Sequence, residues 1–203
     1  MGMLKRMNAT VRNISAAPSA AESFRQAMRQ LASGVSVITH GDGEYRTGLT
    51  ATSVSSLSAE PPALIVCVNR SASLYARLGA GDLIGVNVLA ADHAEIADRF
   101  AGRGGLKGAE RFAEGRWITT PDGVWLLADA VAAFECEVED IIERHSHAIL
   151  IGRVRLAAPR PAEGALIYWR GAFDRIGWSA DEVSRAIGVT PGAPGGRVIR
   201  FPE

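Results

Sequence analysis

Cysteine is scarce in this chain, and the spacings that metal or disulfide sites require are missing. Only two of the 203 residues are cysteines, Cys67 and Cys136, and each stands alone in an apolar or alternating stretch. Neither belongs to a CxxC pair or a Cys/His ligand pattern, which argues against a structural zinc or a disulfide framework. Because isolated thiols suit a reducing compartment, we expect a cytoplasmic protein.

The chain also lacks a surplus of charge and a long apolar run. Lys plus Arg and Asp plus Glu number 22 each, whereas nucleic acids and anionic membranes favour a basic partner. No segment approaches the roughly 20 apolar residues that cross a bilayer. The basic N-terminal segment has no apolar run of the kind found in signal peptides. The composition therefore predicts neither a nucleic-acid-binding protein nor a membrane protein.

The motifs of common enzyme classes are absent as well. The chain contains no P-loop, GxSxG elbow or HExxH, and no visible triad or carboxylate pair. The stretch GAGDLIG, starting at Gly79, approaches a dinucleotide fingerprint but has Ile84 where the third glycine belongs. These absences argue against the commonest enzyme classes, but they do not identify another function.

What is present is a pattern dominated by strands, which predicts a mainly β barrel with a few peripheral helices. Ser19 and Glu22 have capping-box spacing at the start of a helix that Gly34 would end. Its core-facing stripe is predicted at Phe24, Met28 and Leu31. A hairpin is predicted over residues 35–55, with its turn at Asp42-Gly43.

Further strands are predicted at 63–68, 83–89, 134–138 and 147–156, with one or two more after residue 165. Short helices are predicted over 73–79 and 92–100, and residues 102–112 read as a glycine-rich loop. We expect a leader over 1–18, one folded domain over 19–177, and a short helix with a Pro/Gly-rich tail over 178–203. Ser179 and Glu182 could cap that last helix, which would end near Gly188.

Two polar stretches follow predicted strands and could bind a ligand. The run TATSVSS places Thr50, Thr52, Ser53, Ser55 and Ser56 beside the core. Small hydroxyls and nearby N–H groups can hold a phosphate or a heterocycle; ordinary strand and turn preferences explain them equally well.

The run CVNRSAS (67–73) could cap a helix and attract an anion, with Arg70 adding charge. Simple N-capping is the alternative.

In HSH, His145 and His147 would share a strand face and could bind a metal, but no third ligand is nearby. A single histidine serving a site, or a surface histidine, explains this motif better. The acids Glu135, Glu137 and Glu139 in FECEVED are explained by a solvated strand face.

Taken in order, four stretches resemble the flavin reductase-like family of short-chain FMN-binding split barrels. They are FRQAMRQLASGVSVIT, GLTATSVSSLSAEPPALIVCVNRSAS, GVNVLAADHAEIADRFAG and HAILIGRV. The resemblance spans about residues 23–176. It implies a homodimeric Greek-key split β-barrel that uses NADH or NADPH to reduce FMN or FAD and supplies reduced flavin to a partner monooxygenase.

The resemblance also implies the site residues. The flavin would be lined by Thr50, Ala51, Thr52, Ser53, Ser55, Ser56, Cys67, Val68, Asn69, Ser71, Ser73, Phe100 and Ala101. His147 aligns with the histidine of the family's Gly-Asp-His segment and would position nicotinamide. Here His145 and Ser146 replace the glycine and the acid.

In this interpretation the hydroxyl run forms the floor of the flavin site, with Val54 and Leu57 anchoring one strand in the core. No protein acid or base is obligatory, because the two cofactors carry the hydride transfer and the protein aligns them. A bulky residue at Ser53 or Ser56 should then raise the flavin KM. The alternatives are a barrel that holds flavin tightly and acts on its own substrate, a non-catalytic flavin carrier or sensor, and an interaction module that uses the acidic face.

Overall fold

The computed structural model describes residues 18–160 and 164–177. The helices are α1 (Ala20–Met28) and α2 (Ala94–Phe100). The strands are β1 (Ser33–Gly34), β2 (Ser36–His40), β3 (Thr47–Ala51), β4 (Val54–Ala59), β5 (Pro62–Asn69), β6 (Leu83–Val88), β7 (Trp117–Thr119), β8 (Trp125–Leu127), β9 (Ala132–Arg144), β10 (His147–Pro159), β11 (Ala165–Trp169) and β12 (Ala172–Ile176). Short 3-10 helices cover Gly43–Tyr45, Tyr75–Arg77, Arg103–Gly105 and Gly108–Ala113.

Seven antiparallel strands form the main sheet, in the order β3-β2-β6-β9-β10-β5-β4. Its two edge strands, β3 and β4, are consecutive in the chain and are separated only by Thr52 and Ser53. Six strand spacings of about 4.8 Å would separate the edges of a flat sheet by about 29 Å, whereas a two-residue link reaches only about 10 Å. The sheet must therefore curl until its edges meet, which forms the predicted barrel.

Alternating side chains fill the interior of this barrel. On β5, Leu64, Val66 and Val68 are at most 5% exposed, because every second residue of a strand points to the same face. The facing strands contribute Ile38, Ile84, Val86, Cys136, Val138 and Leu150 to the same cluster. The interior is thus an apolar core, and a ligand has to bind at its edge.

A second apolar cluster packs on the opposite face of the sheet, beneath α2. Its centre is aromatic: the ring centroids of Phe100, Phe112 and Trp117 lie 4.9–5.3 Å apart. Gly48 makes this packing possible, because a Cβ there would lie 2.7 Å from both the Phe100 ring and the Ile38 carbonyl oxygen. The cluster fixes the C-terminal end of α2 against β3.

Helix α1 has the predicted start, but its apolar stripe is not part of the core. The Ser19 hydroxyl accepts from the Glu22 N–H at 3.2 Å, and the Glu22 carboxylate accepts from the Ser19 N–H at 3.0 Å. The helix ends at Met28, and Gly34 lies in β1 instead of ending the helix. Its stripe is exposed: Phe24 by 64%, Met28 by 48% and Leu31 by 59%. The prediction that these residues face the core of their own chain is therefore wrong.

Most of the predicted strands are confirmed with shifted ends, and so is the helix before residue 100. The predicted helix over 73–79 is a single 3-10 turn, and the short strands β7 and β8 were not predicted. Strand β3 stops at Ala51, so the hydroxyl run is not one strand. Val54 packs against the core as expected, but Leu57 is 52% exposed and anchors nothing within this chain.

Residues 1–17 of the predicted leader (1–18), the C-terminal helix predicted from Ser179 and the tail lie outside the described residues. In the described part of the chain, neither helix is long and apolar enough to cross a membrane.

Candidate functional site

One large cavity opens at the edge of the barrel, where β3, β5 and β10 meet the segment after α2. Its volume is about 1090 Å³. Eleven of the fourteen residues predicted for the site line it: Thr50, Ala51, Thr52, Ser53, Cys67, Asn69, Ser71, Ser73, Phe100, Ala101 and His147. The fold therefore brings together segments that are far apart in the sequence.

Three predicted residues do not line this cavity. Val68 is 1% exposed, because alternation along β5 turns its side chain into the barrel while Cys67 faces the cavity. Ser55 and Ser56 lie on β4 beyond the point where the barrel closes, and both are exposed. Their assignment to the flavin site is not supported by this geometry.

The remaining hydroxyls of the run differ in their hydrogen-bond partners. Thr50 donates to the Ala97 carbonyl at 2.6 Å, which ties β3 to α2. The Ser53 hydroxyl donates to the Cys67 carbonyl at 2.9 Å and accepts from the Cys67 N–H at 3.2 Å. Thr52 is exposed at the cavity wall, and this geometry leaves its hydroxyl available to a ligand. Only part of the hydroxyl run can therefore act in binding.

The residues after β5 form a polar turn at the cavity. The Asn69 side-chain oxygen accepts from the Ser71 N–H and the Ser71 hydroxyl, both at 2.9 Å. The Ser73 hydroxyl lies 3.3 Å from that of Thr47. Arg70 does not add charge to the cavity as predicted, because its guanidinium pairs with Glu143 at 2.9 Å.

Three cations that the sequence did not single out line the cavity: Arg77, Lys107 and Arg111. Among the residues that the structure describes, none of the three has a carboxylate at ion-pair distance. Glu44 and Glu110 also line the cavity, so its wall is of mixed sign with an excess of positive charge. Lys107 and Arg111 lie in the glycine-rich segment that reads as a loop, and only their charge could have drawn attention to them.

Arg111 holds the cavity wall together. Its guanidinium donates to the carbonyl oxygens of Gly48, Phe100 and Leu106, at 2.7, 3.1 and 3.0 Å. These three acceptors belong to β3, to the end of α2 and to the following loop. Burial lowers the pKa of the Arg111 guanidinium, because partial desolvation disfavours its charged form. An anionic group in the cavity would favour the charged form and so offset this cost.

Phe100 and Ala101, at the end of α2, contribute to the cavity in different ways. The Phe100 side chain is 1% exposed and packs in the aromatic cluster. Ala101 is exposed at the rim. The buried Phe100 ring therefore supports the cavity wall from the aromatic cluster.

His147 lies at the start of β10, opposite Asn69 on β5, and its ring faces the cavity rim. Ser146 Oγ lies 2.9 Å from His147 Nδ1. His145 occupies the turn with φ +51°, so the two histidines do not share a strand face as the metal hypothesis assumed. In the described residues, no three His, Cys, Asp or Glu side chains come together as a metal site.

The acidic stripe of β9 is neutralised by arginines of β10. Arg153 lies 2.8 Å from Glu137 and 3.3 Å from Glu139, and Arg155 lies 3.9 Å from Glu135. Glu135 is only 4% exposed. The stripe therefore does not present the free acidic surface that an interaction module would need.

Comparison with known proteins relates this chain to enzymes of flavin chemistry. The family model for the flavin reductase like domain matches residues 28–177. FMN reductase (NADH) RutF of Methylorubrum populi is 38% identical over 197 residues, which are 91% of this chain and 94% of that protein. FMN reductase (NADH) RutF of Variovorax paradoxus is 40% identical over 153 residues, 75% and 84% of the two chains.

The similar solved structures are also flavin reductases. NADH:FAD oxidoreductase SgcE6 of Streptomyces globisporus C-1027, in complex with NAD and FAD fragments, superposes with a TM-score of 0.71 at 31% identity, over 80% of this chain and 96% of that one. BorF, the flavin reductase component of a bacterial two-component tryptophan halogenase, gives 0.70 at 32% identity, over 77% and 98%.

Proposed function

The chain belongs to the flavin reductase-like family, and on that premise we propose that it uses NADH to reduce FMN or FAD. The observation that carries the proposal is the similarity to NADH-dependent FMN reductases along nearly the whole chain. The cavity at the edge of the barrel is the natural place for this reaction, since it gathers most of the residues that the family resemblance implies.

The residues of the cavity fit a flavin nucleotide. Ligand pockets typically measure about 300–1,000 Å³, and this cavity measures about 1090 Å³, which leaves room for a second ring system. Its wall combines apolar groups, hydroxyls and three cations. Among the described residues, none of these cations forms an ion pair with a carboxylate. A ligand with a flat heterocycle and an anionic phosphate matches this set of groups.

We assign the cations to the anionic part of the flavin and the strand ends to its ring. Lys107 and Arg111 would hold the phosphate, since charge-assisted hydrogen bonds are the strongest that a partly buried site offers. Thr52, Cys67 and Asn69 would flank the ring. His147 would position the nicotinamide at the rim.

The flavin and the nicotinamide supply the redox chemistry when bound, as hydride acceptor and hydride donor. The chain's own residues bind and orient the two partners. Hydrogen-bond donors already fixed in place also stabilise charge that develops during transfer. This division of labour accounts for the absence of a catalytic triad or a carboxylate pair.

The proposal is tested by following NADH consumption by the purified protein, with and without added FMN or FAD. We expect turnover that depends on added flavin and saturates with it. NADPH serves as the comparison substrate. Absence of turnover with every pair would overturn the proposal and favour a flavin carrier. Flavin that stays bound through gel filtration would favour an enzyme that acts on its own substrate.

We further infer that the protein works as a homodimer. The exposed stripe of α1 borders a groove of about 810 Å³ that reaches Thr52 and Ser53, which also line the cavity. A second copy seated on this stripe would bury Phe24, Met28 and Leu31 and close that side of the cavity.

Light scattering should therefore give twice the chain mass. Phe24→Glu should shift the protein to monomer, whereas Ile118→Glu, at a residue exposed by 49% on β7, should not. A wild-type monomer would contradict the inference.

The reduced flavin would serve a separate flavin-dependent monooxygenase. BorF is the flavin reductase component of a two-component tryptophan halogenase, and its likeness to this chain supports a two-component arrangement here. A site with an open rim suits release of the product.

A further inference from the structure

The turn that carries His147 into the cavity has an unfavourable backbone conformation. His145 and Ser146 form the two-residue connection between β9 and β10, and His145 has φ +51°. Residues with a Cβ are disfavoured in this left-handed region, and hairpin connections usually place asparagine, aspartate or glycine there. Some other contact must therefore hold this turn in place.

Arg70 supplies that contact from three atoms. Its backbone N–H donates to the Ser146 carbonyl at 3.0 Å, and its guanidinium donates to the His145 carbonyl at 3.1 Å. The same guanidinium pairs with Glu143 at 2.9 Å, one residue before the end of β9. Arg70 thus bridges both sides of the turn.

The bridge is anchored on the cavity side as well. Arg70 directly follows Asn69, which lies opposite His147 in the β5–β10 ladder. The Tyr75 hydroxyl donates to the second oxygen of Glu143. The arrangement therefore connects the turn to the polar segment after β5, and a displacement of the turn would move His147 relative to Asn69.

Charge attraction alone does not explain this arrangement. The side chains of Arg70 and Glu143 are 43% and 51% exposed, and exposed ion pairs contribute little to stability. What the guanidinium provides is its fork of donors, which fixes two acceptors at a set distance.

We propose that Arg70 is a positioning residue for the nicotinamide half of the reaction: it holds the strained His145-Ser146 turn so that His147 faces the cavity. This inference rests on the proposed function, because it takes His147 as the nicotinamide contact. Arg70 itself touches neither reactant, and the flavin side of the cavity does not depend on it.

A double-mutant cycle tests the proposal. Arg70→Met should raise the KM for NADH about fivefold or more while kcat and the flavin KM change less than about twofold, since it loosens the turn and not the flavin wall. His145→Gly removes the strain and should leave the wild-type KM for NADH. In the His145→Gly background, Arg70→Met should raise that KM less than about twofold, because the two residues act through one turn.

Matched variants separate positioning from a general loss of structure. Arg153→Met removes an arginine of similar exposure that pairs with Glu137 on the same sheet, away from the turn, and should leave both KM values unchanged. Arg70→Lys keeps the charge without the fork and should behave like Arg70→Met. An unchanged KM for NADH in Arg70→Met, or an equal rise in both backgrounds, would overturn the proposal.

Amide hydrogen exchange decides the matter independently of turnover. Arg70→Met should speed exchange in the segment 144–148, and the His145→Gly background should reduce this effect. Exchange that is unchanged in Arg70→Met would overturn the positioning role. An inactive wild type would instead overturn the proposed function, and the exchange result would still test Arg70.

Discussion

The hydroxyl of Ser53 takes the place of a strand partner for Cys67. It donates to the Cys67 carbonyl at 2.9 Å and accepts from the Cys67 N–H at 3.2 Å. The β4–β5 ladder ends one residue earlier, at the pair Val54–Val66. The side chain thus continues the ladder where the chain passes from β3 to β4 and the barrel closes, beside the cavity.

Loss of this hydroxyl should destabilise the barrel. In Ser53→Ala both main-chain groups of Cys67 lose their partner, and we expect the free energy of unfolding to fall by about 1–3 kcal/mol. Urea unfolding measures the change. Ser55→Ala, at an exposed site on β4, is the control and should stay within about 0.5 kcal/mol of wild type. Equal effects at the two positions would contradict the role of Ser53.

Bulk at Thr52 and bulk at Ser56 should have different effects on flavin binding. Thr52 lines the cavity and Ser56 does not, although the sequence assigns both to the site. A tryptophan at Thr52 fills space that the ligand needs. A misfit of roughly 1–3 kcal/mol should raise the flavin KM at least about fivefold. Ser56→Trp should leave it within about twofold of wild type, and a similar rise at both positions would return Ser56 to the site.

Arg111 should contribute to flavin affinity as well as to the cavity wall. Arg111→Met removes the cation that we assign to the phosphate. Because a hydrogen bond to a charged group contributes about 1.5–3 kcal/mol, the Kd for FMN should rise about tenfold or more. The variant also loses three hydrogen bonds within the cavity wall. Arg111→Lys should fall between this variant and wild type. Arg103→Met, which removes an exposed arginine paired with Asp98, is the control. Fluorescence titration measures the Kd, and an unchanged Kd in Arg111→Met would contradict the assignment.

The two cysteines provide a chemical probe of the cavity. Cys67 is half-buried and lines it, whereas Cys136 is fully buried. Burial raises the pKa of the Cys136 thiol to about 12, with the Glu135 charge as a smaller cause, so it stays protonated and unreactive near neutral pH. Saturating FMN should slow alkylation of Cys67, followed by mass spectrometry. Alkylation of Cys67 at the same rate with and without FMN would place the flavin elsewhere.

Periodicity in the sequence predicts the barrel strands well, because their alternation reflects burial directly. On β9, Cys136 and Val138 are fully buried while Glu139 is exposed. The same pattern cannot tell what covers an apolar face: the stripe at Phe24 and Met28 has helical spacing, yet no part of the described chain buries it. A hydrophobic pattern identifies a face that needs a partner without identifying the partner.

The site is harder to predict than the fold, because its geometry depends on where the barrel closes. The break after Ala51 sends Thr52 to the cavity and Ser56 to the surface, and a run of small hydroxyls does not mark that point. Arg111 acts through carbonyl groups of three separate segments, which only the folded chain brings together.

Anaerobic reduction of free FMN, present in large excess over the protein, tests the central claim most directly. NADH is added, and the visible absorbance of oxidised flavin is followed. A diffusible-flavin reductase bleaches many equivalents of FMN per chain, at a rate that saturates with both FMN and NADH. Bleaching of no more than one equivalent per chain, or none, would contradict the account and leave a barrel that binds flavin without turning it over.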